Sequence, residues 1–298
     1  MIKRLFLFPI ALLWAVSANA QDVSSLTVEN GGTGSCKAVM VSDATLPTHT
    51  IFKPQDLSGF NSSNPIPVLV WGNGACTDSP WEPVRVLNEI ASHGFLVVAV
   101  GTMPEPLDVR PKVGKSPSSK LTDAIDWVIA ANANPESQYY GKVDVWNIAV
   151  AGMSCGGLMT LDVAKDPRIR AIMICNSGLF KQSNAATAVP GMPMPGKERL
   201  AEIHTPVIYI LGGPEDIAYV NGMDDFANIN HVPVFAANYP VGHGGTYSKP
   251  FGGEFAIVAT AWLEWQLKGD AEAGKLFKGN PCGLSGREGW TADKKNIP

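Results

Sequence analysis

The tightest constraint on this chain is the pentapeptide Gly152-Met153-Ser154-Cys155-Gly156. An apolar run, 144–151, leads into it, and Gly156-Gly157 opens an apolar helical stretch behind it. Gly-x-Ser-x-Gly set between a buried strand and a helix reads as a nucleophile elbow. Its serine sits on so sharp a turn that the residues two before and two after it must lack bulky side chains. The helix that follows aims its unpaired N–H groups at the same point.

Runs rich in β-branched residues at 38–42, 49–52, 66–71, 95–100, 145–151, 169–175, 207–211 and 232–238 read as strands. From the third onward, helical segments at 80–92, 120–131, 157–164 and 255–268 alternate with them. This order predicts an α/β fold with a mostly parallel central sheet flanked by helices on both faces. In such sheets the ligand site lies beyond the carboxyl ends of the strands, and the elbow falls at such an end. No linker, repeat or low-complexity block divides 21–298, so these residues are expected to form a single catalytic domain.

Residues 1–20 read differently. Lys3 and Arg4 precede an apolar stretch, 5–16, and Ala18-Asn19-Ala20 supplies a small-x-small cleavage site. This pattern predicts a signal peptide cut near Ala20 and an exported protein, periplasmic or secreted. The stretch is shorter than the roughly 20 residues that span a bilayer, so no stable membrane anchor is expected. The net charge is −4 and no basic residues cluster, which argues against nucleic acid as a partner. There are five cysteines, Cys36, Cys76, Cys155, Cys175 and Cys282. An odd count leaves a thiol unpaired or paired between chains, and Cys175, in an apolar strand, reads as a small buried hydrophobe. The chain has no Cys-x-x-Cys and no histidine cluster, so no metal site is expected.

A serine nucleophile needs an imidazole to take its proton and a carboxylate to orient that imidazole. His49, His93, His204 and His231 each stand just before or at the start of an expected strand, which in a parallel sheet is the end away from the ligand. His243 follows the last strand, in Pro240-Val241-Gly242-His243-Gly244-Gly245, and is the expected base. The usual chain order of serine, acid, histidine directs the search for the acid to Gly212-Gly213-Pro214-Glu215-Asp216, where both carboxylates fit. Asp224 and Asp225, further along an expected helix, read as solvated surface charges. The oxyanion needs two backbone N–H donors. Cys155 is expected to supply one, and the loop 72–77 the other, from Ala75 or Cys76. Met192 and Met194 lie between prolines in the connection 181–199, where flexible thioethers suit an apolar acyl or alcohol group. Trp81 and Phe180 are further candidates for the substrate cleft, although both equally suit the core.

Taken together, these residues resemble a secreted α/β-hydrolase of the serine esterase type. The similarity lies near the branch of lipases, cutinase-like polyester hydrolases and dienelactone-hydrolase-like enzymes, and it runs from about 65 to 282. Residues 90–98, Ile-Ala-Ser-His-Gly-Phe-Leu-Val-Val, are similar to that group's helix-to-strand junction. The loop 212–216 resembles its acid loop, with Asp216 on the catalytic aspartate, and Ala261-Trp262-Leu263 with Phe277 and Cys282 resembles its last helix and tail. The resemblance implies hydrolysis of a small-molecule or polymeric carboxylic ester through an acyl-enzyme on Ser154, with His243 and Asp216, and with neither metal nor organic cofactor. Two departures matter. Met153-Ser154-Cys155 stands where polyester hydrolases usually carry His-Ser-Met, and residues 176–180, Asn-Ser-Gly-Leu-Phe, lack the tryptophan they tend to have there. A polyester substrate is therefore not implied. Their tail disulfide joins two C-terminal cysteines, whereas Cys282 has no partner downstream, which leaves a bridge to Cys36, or instead Cys76 with Cys155. A peptidase or amidase of the same fold is the competing enzymatic reading, weakened by the lack of a large extra domain. A non-catalytic binding protein is disfavoured because all three positions of the triad can be filled.

Overall fold

The computed structural model describes residues 22–181 and 191–298, so the expected signal peptide lies outside the described residues. Ten strands form one sheet: β1 (Asp22–Leu26), β2 (Ala38–Asp43), β3 (His49–Pro54), β4 (Ile66–Gly72), β5 (Leu96–Val100), β6 (Val143–Met153), β7 (Ile169–Cys175), β8 (Val207–Leu211), β9 (Val234–Asn238) and β10 (Thr291–Lys295). Their order is β1-β2-β3-β5-β4-β6-β7-β8-β9-β10. The six strands from β5 to β9 in this order run parallel, while β1, β2, β3 and β10 pair antiparallel at the two edges. The helices are α1 (Val84–Ser92), α2 (Ser119–Ala133), α3 (Cys155–Asp162), α4 (Tyr219–Asn228), α5 (Gly253–Lys268) and the short α6 (Ala271–Gly274).

The period of two along a strand divides the core into two layers. In β4, Val68 and Val70 join Ile125 of α2 and Leu158 of α3 on one face. Leu69 and Trp71 join Leu87 of α1 and Trp262 of α5 on the other. Ala149, Ala151 and Ala171 point to this second face, and the small side chains leave room for the aromatic residues of α5. Because both faces are covered, the central strands read as unbroken apolar runs, and all eight expected strands are present. β1 and β10 carried no such signal: Asp-Val-Ser-Ser-Leu and Thr-Ala-Asp-Lys-Lys are edge strands, where polar and lysine-bearing sequences discourage further pairing.

Two sequence expectations are corrected by the packing. β3 runs antiparallel, so His49 pairs with Val100 at the carboxyl end of β5, not at the opposite end of the sheet. Its imidazole is nonetheless occupied by the Lys120 carbonyl at 2.9 Å and the Thr48 hydroxyl at 3.1 Å. Asp225 is no surface charge. It is fully buried and accepts hydrogen bonds from Leu179 N (2.8 Å), Tyr209 Oη (3.3 Å) and Lys197 Nζ (2.5 Å). Burial still outweighs these donors and raises its carboxyl to about 6.

His93, at the end of α1, stands between Glu264 of α5 and Glu89, each at 3.3 Å. The hydrogen bonds it donates to them, that to Glu264 foremost, raise the imidazole to about 9 against the opposing effect of burial. The folded state thus holds a proton that the unfolded chain releases near pH 6.5. The stabilisation is complete below that pH and disappears as pH rises through about 9. Melting temperature is expected to fall across this window and to fall less in His93→Gln. The difference should be on the order of 1 kcal/mol after screening by solvent.

Candidate active site

β6 ends at Met153, and the chain turns directly into α3, which puts Ser154 at the corner with φ 53° and ψ −118°. Such a conformation costs a residue with a side chain about 1–3 kcal/mol and persists only where its surroundings impose it. Ser154 N donates to the Cys175 carbonyl of β7 at 2.9 Å, and Ser177 Oγ donates to the Ser154 carbonyl at 2.7 Å. The start of α3 lies against the end of β4 so closely that a Cβ on Gly156 would collide with the Gly72 carbonyl. The second glycine of the pentapeptide is therefore a packing requirement.

The loops after β8 and β9 bring the other two groups to this corner. Val241 N and Gly242 N both donate to the Gly212 carbonyl, at 3.0 and 2.9 Å, and lay the histidine loop on the acid loop. His243 Nε2 lies 3.0 Å from Ser154 Oγ, and its Nδ1 lies 2.6 Å from Asp216 Oδ1. The Asp216 side chain is fully buried. Burial alone would raise its carboxyl, but hydrogen bonds from His243, the Ala218 and Gly212 backbone N–H groups and Asn176 Nδ2 more than offset it and hold the carboxyl below the ordinary range. Glu215, the other carboxylate in the loop, is exposed to solvent.

Asn176, also held at positive φ (45°), was missed in the sequence. Its Nδ2 donates to Asp216 Oδ2 at 2.7 Å, and its Oδ1 accepts from Tyr247 Oη at 2.7 Å. A chain of hydrogen bonds thus runs from Tyr247 through Asn176, Asp216 and His243 to Ser154. The readable signal was positional: Asn176 follows β7 directly, at the sheet end where the ligand site lies.

The N–H groups of Cys155, at the first position of α3, and of Ala75, in the loop after β4, have no acceptor among the described residues. Cys76 is engaged differently. Its N–H is spent on the Asn73 carbonyl at 3.1 Å, and its side chain forms a disulfide with Cys155. Cys36, Cys175 and Cys282 are free, so the Cys36–Cys282 pairing is not formed. Asn73, readable in the sequence only as part of a turn, fastens the loop: its Nδ2 donates to the Thr77 carbonyl (2.8 Å) and the Val100 carbonyl (2.6 Å).

A cleft of about 230 Å³ opens above these groups, and Ser154, His243, Ala75 and Met153 all line it. Trp81 lines it too, its indole fixed by a 2.8 Å hydrogen bond to the Leu107 carbonyl, with Val113 and Arg110 beside it. The Arg110 guanidinium lies 5.9 Å from the centre of the Trp81 ring. The other substrate candidates lie elsewhere. Phe180 and Met192 pack against the core layer of α2 and α3, and neither they nor Met194 lines this cleft among the described residues. Residues 182–190 of the same connection lie outside the described ones. His93, His204 and His231 are bonded elsewhere, to Glu89 and Glu264, to the Glu202 carbonyl and to the Ile203 carbonyl.

The mostly parallel sheet, the strained serine corner and the serine–imidazole–carboxylate chain at its carboxyl edge define the class: an α/β-hydrolase. The family model described as PETase, PET hydrolase-like, matches residues 50–223, more than half of the chain, and the protein belongs to that family of ester hydrolases. The match takes in Ser154 and Asp216 and stops short of His243. No curated protein matches the chain.

Proposed function

We propose that the protein is a serine esterase that cleaves small to medium carboxylic esters through an acyl-enzyme. The observation that carries this reading is the unbroken hydrogen-bonded chain Ser154–His243–Asp216 at the floor of an open cleft. Ser154 Oγ attacks the ester carbonyl while His243 Nε2 takes its proton, and Asp216 holds Nδ1–H and stabilises the imidazolium. The tetrahedral oxyanion accepts hydrogen bonds from Cys155 N and Ala75 N, each worth ~3 kcal/mol in the transition state. Collapse expels the alcohol, which leaves with the proton from His243. Water, activated by the same imidazole, then releases the acid and restores the serine. An amide would need the same groups, but the family favours the ester.

The substrate class follows from the walls. Trp81, Val113 and Met153 offer an apolar surface, while the position after β7 holds Asn176, committed to Asp216, in place of an aromatic platform. A small acyl group suits such a cleft better than an aromatic polyester. The polymer remains a second reading because Ile217 and Val220, beside and just beyond Asp216, are 80% and 66% exposed, and Val241, two residues before His243, is 41% exposed. Export belongs to the same proposal, supported by residues 1–20 and by a disulfide that an oxidising compartment preserves.

The test is a p-nitrophenyl ester series from acetate to palmitate, run beside amorphous polyethylene terephthalate film. A fluorophosphonate probe and peptide mass mapping would locate the nucleophile. Labelling of Ser154 with fastest turnover on short acyl chains is expected. Labelling elsewhere would discard the triad, and faster release of product from film than from any soluble ester would favour the polymer.

A further inference from the structure

The mechanism leaves the Cys76–Cys155 bridge without a role, yet its two ends abut the two N–H groups assigned to the oxyanion. Cys155 carries one of those groups on its own backbone, and Cys76 follows Ala75, which carries the other. Both cysteines are buried, Cys76 fully and Cys155 2% exposed, and their Cα atoms stand 5.1 Å apart. The loop on the Cys76 side needs such a restraint. Ala75 and Cys76 adopt φ values of 51° and 53° in succession, a left-handed conformation that residues with side chains rarely hold. Asn73 fastens the flanks of this loop, and Lys115 Nζ donates to the Ala75 carbonyl from outside. Neither contact links the loop to α3. Outside the bridge, the two elements, a loop after β4 and the first turn of α3, meet through backbone packing of Gly156 on Gly72 and Asn73, with no hydrogen bond between them among the described residues.

We infer that the Cys76–Cys155 disulfide is a positioning group for catalysis, locking the Ala75 and Cys155 N–H groups at the spacing a single oxyanion requires. The inference rests on the esterase reading above. A bridge that served stability alone would leave turnover untouched in any molecule that stays folded. A bridge that sets the spacing of donors acts where charge develops, so its loss lowers kcat and leaves ground-state binding nearly as it was.

The experiment compares wild type with Cys76→Ala/Cys155→Ala on p-nitrophenyl acetate at 25 °C, below the melting temperature of each. An alkyl boronic acid, whose serine adduct is tetrahedral and anionic, serves as the probe of the hole. The double variant is expected to lose about 10- to 100-fold in kcat with KM changed less than about twofold, and to bind the boronic acid correspondingly more weakly. Wild-type kcat in the folded double variant, or a change confined to KM, would overturn the inference.

Should the variant not fold, wild-type enzyme treated with a phosphine decides the matter. The phosphine takes its oxide oxygen from water, and its two electrons leave with two protons on the sulfurs, raising the thiol count from three to five. Unchanged kcat at five thiols, with far-UV circular dichroism preserved, would also overturn it. Fluorophosphonate labelling of wild-type Ser154 separates the two failures. Without that label the esterase reading falls and takes this inference with it, whereas a labelled enzyme indifferent to reduction refutes the disulfide's role alone.

Discussion

Ser154→Ala is expected to lower kcat on p-nitrophenyl esters by on the order of 10⁵- to 10⁶-fold while leaving the protein folded. The loss has a direct cause. His243 Nε2 stands 3.0 Å from the hydroxyl, and no other hydroxyl among the described residues is bonded to that nitrogen, so the imidazole has no second nucleophile to activate. Such a loss corresponds to about 7–8 kcal/mol of transition-state stabilisation. The residual rate would come from the Cys155 and Ala75 N–H groups acting on a bound ester attacked by water. Removing the hydroxyl also relieves nothing in the backbone, because the corner is imposed by Gly72, Gly156 and Cys175, and the melting temperature should move little. Steady-state kinetics with active-site titration would check both statements. A variant retaining a tenth of the wild-type rate would remove Ser154 from the mechanism.

Asp216→Asn carries the second large effect, about 10⁴-fold in kcat. The carboxylate accepts four hydrogen bonds, from His243 Nδ1, Ala218 N, Gly212 N and Asn176 Nδ2. An amide has one acceptor oxygen and an NH₂ group, so at least one oxygen position would turn donor against donor. The imidazole would then either lose its partner or take the tautomer that leaves Nε2 protonated and unable to accept from Ser154. Orphaned buried donors cost about 1–3 kcal/mol each, so this variant, unlike Ser154→Ala, should also melt earlier. Glu215→Gln serves as the control: the side chain is exposed, and kcat should stay near wild type. A large loss in Glu215→Gln with little in Asp216→Asn would reverse the assignment of the acid.

How much of this was legible depends on the range of the interaction. The strands of the parallel sheet announced themselves because both faces are covered and the runs are apolar without a break. The elbow was legible because its geometry is local, a requirement on five consecutive residues. Edge strands β1 and β10 were not, since half-exposed edges carry no apolar signature. Asp225 looked like a surface charge on α4, and only the packing of Lys197, Tyr209 and Leu179 around it reveals a buried anchor. Phe180 and Met192 were plausible cleft residues by type; half-buried, they pack against the core layer of α2 and α3, and neither lines the cleft beside Ser154 among the described residues.

Within the site the same division holds. Ser154, His243 and the acid loop were readable by themselves, because strand ends and chain order narrow each role to one or two residues. The resemblance of the loop 212–216 already favoured Asp216 over Glu215, and the dock of the loop 240–243 on Gly212, a contact between segments far apart along the chain, is what brings that carboxylate to the imidazole. Likewise, the Cys76 N–H turned to the Asn73 carbonyl, the support from Asn176 and Tyr247, and the Cys76–Cys155 bridge all needed the tertiary structure. Residue type and spacing determine which chemistry the chain can perform, because they act locally. Which atom faces which is decided when the sheet brings the ends of β4, β6, β7, β8 and β9 to one edge and the loops beyond them meet around Ser154.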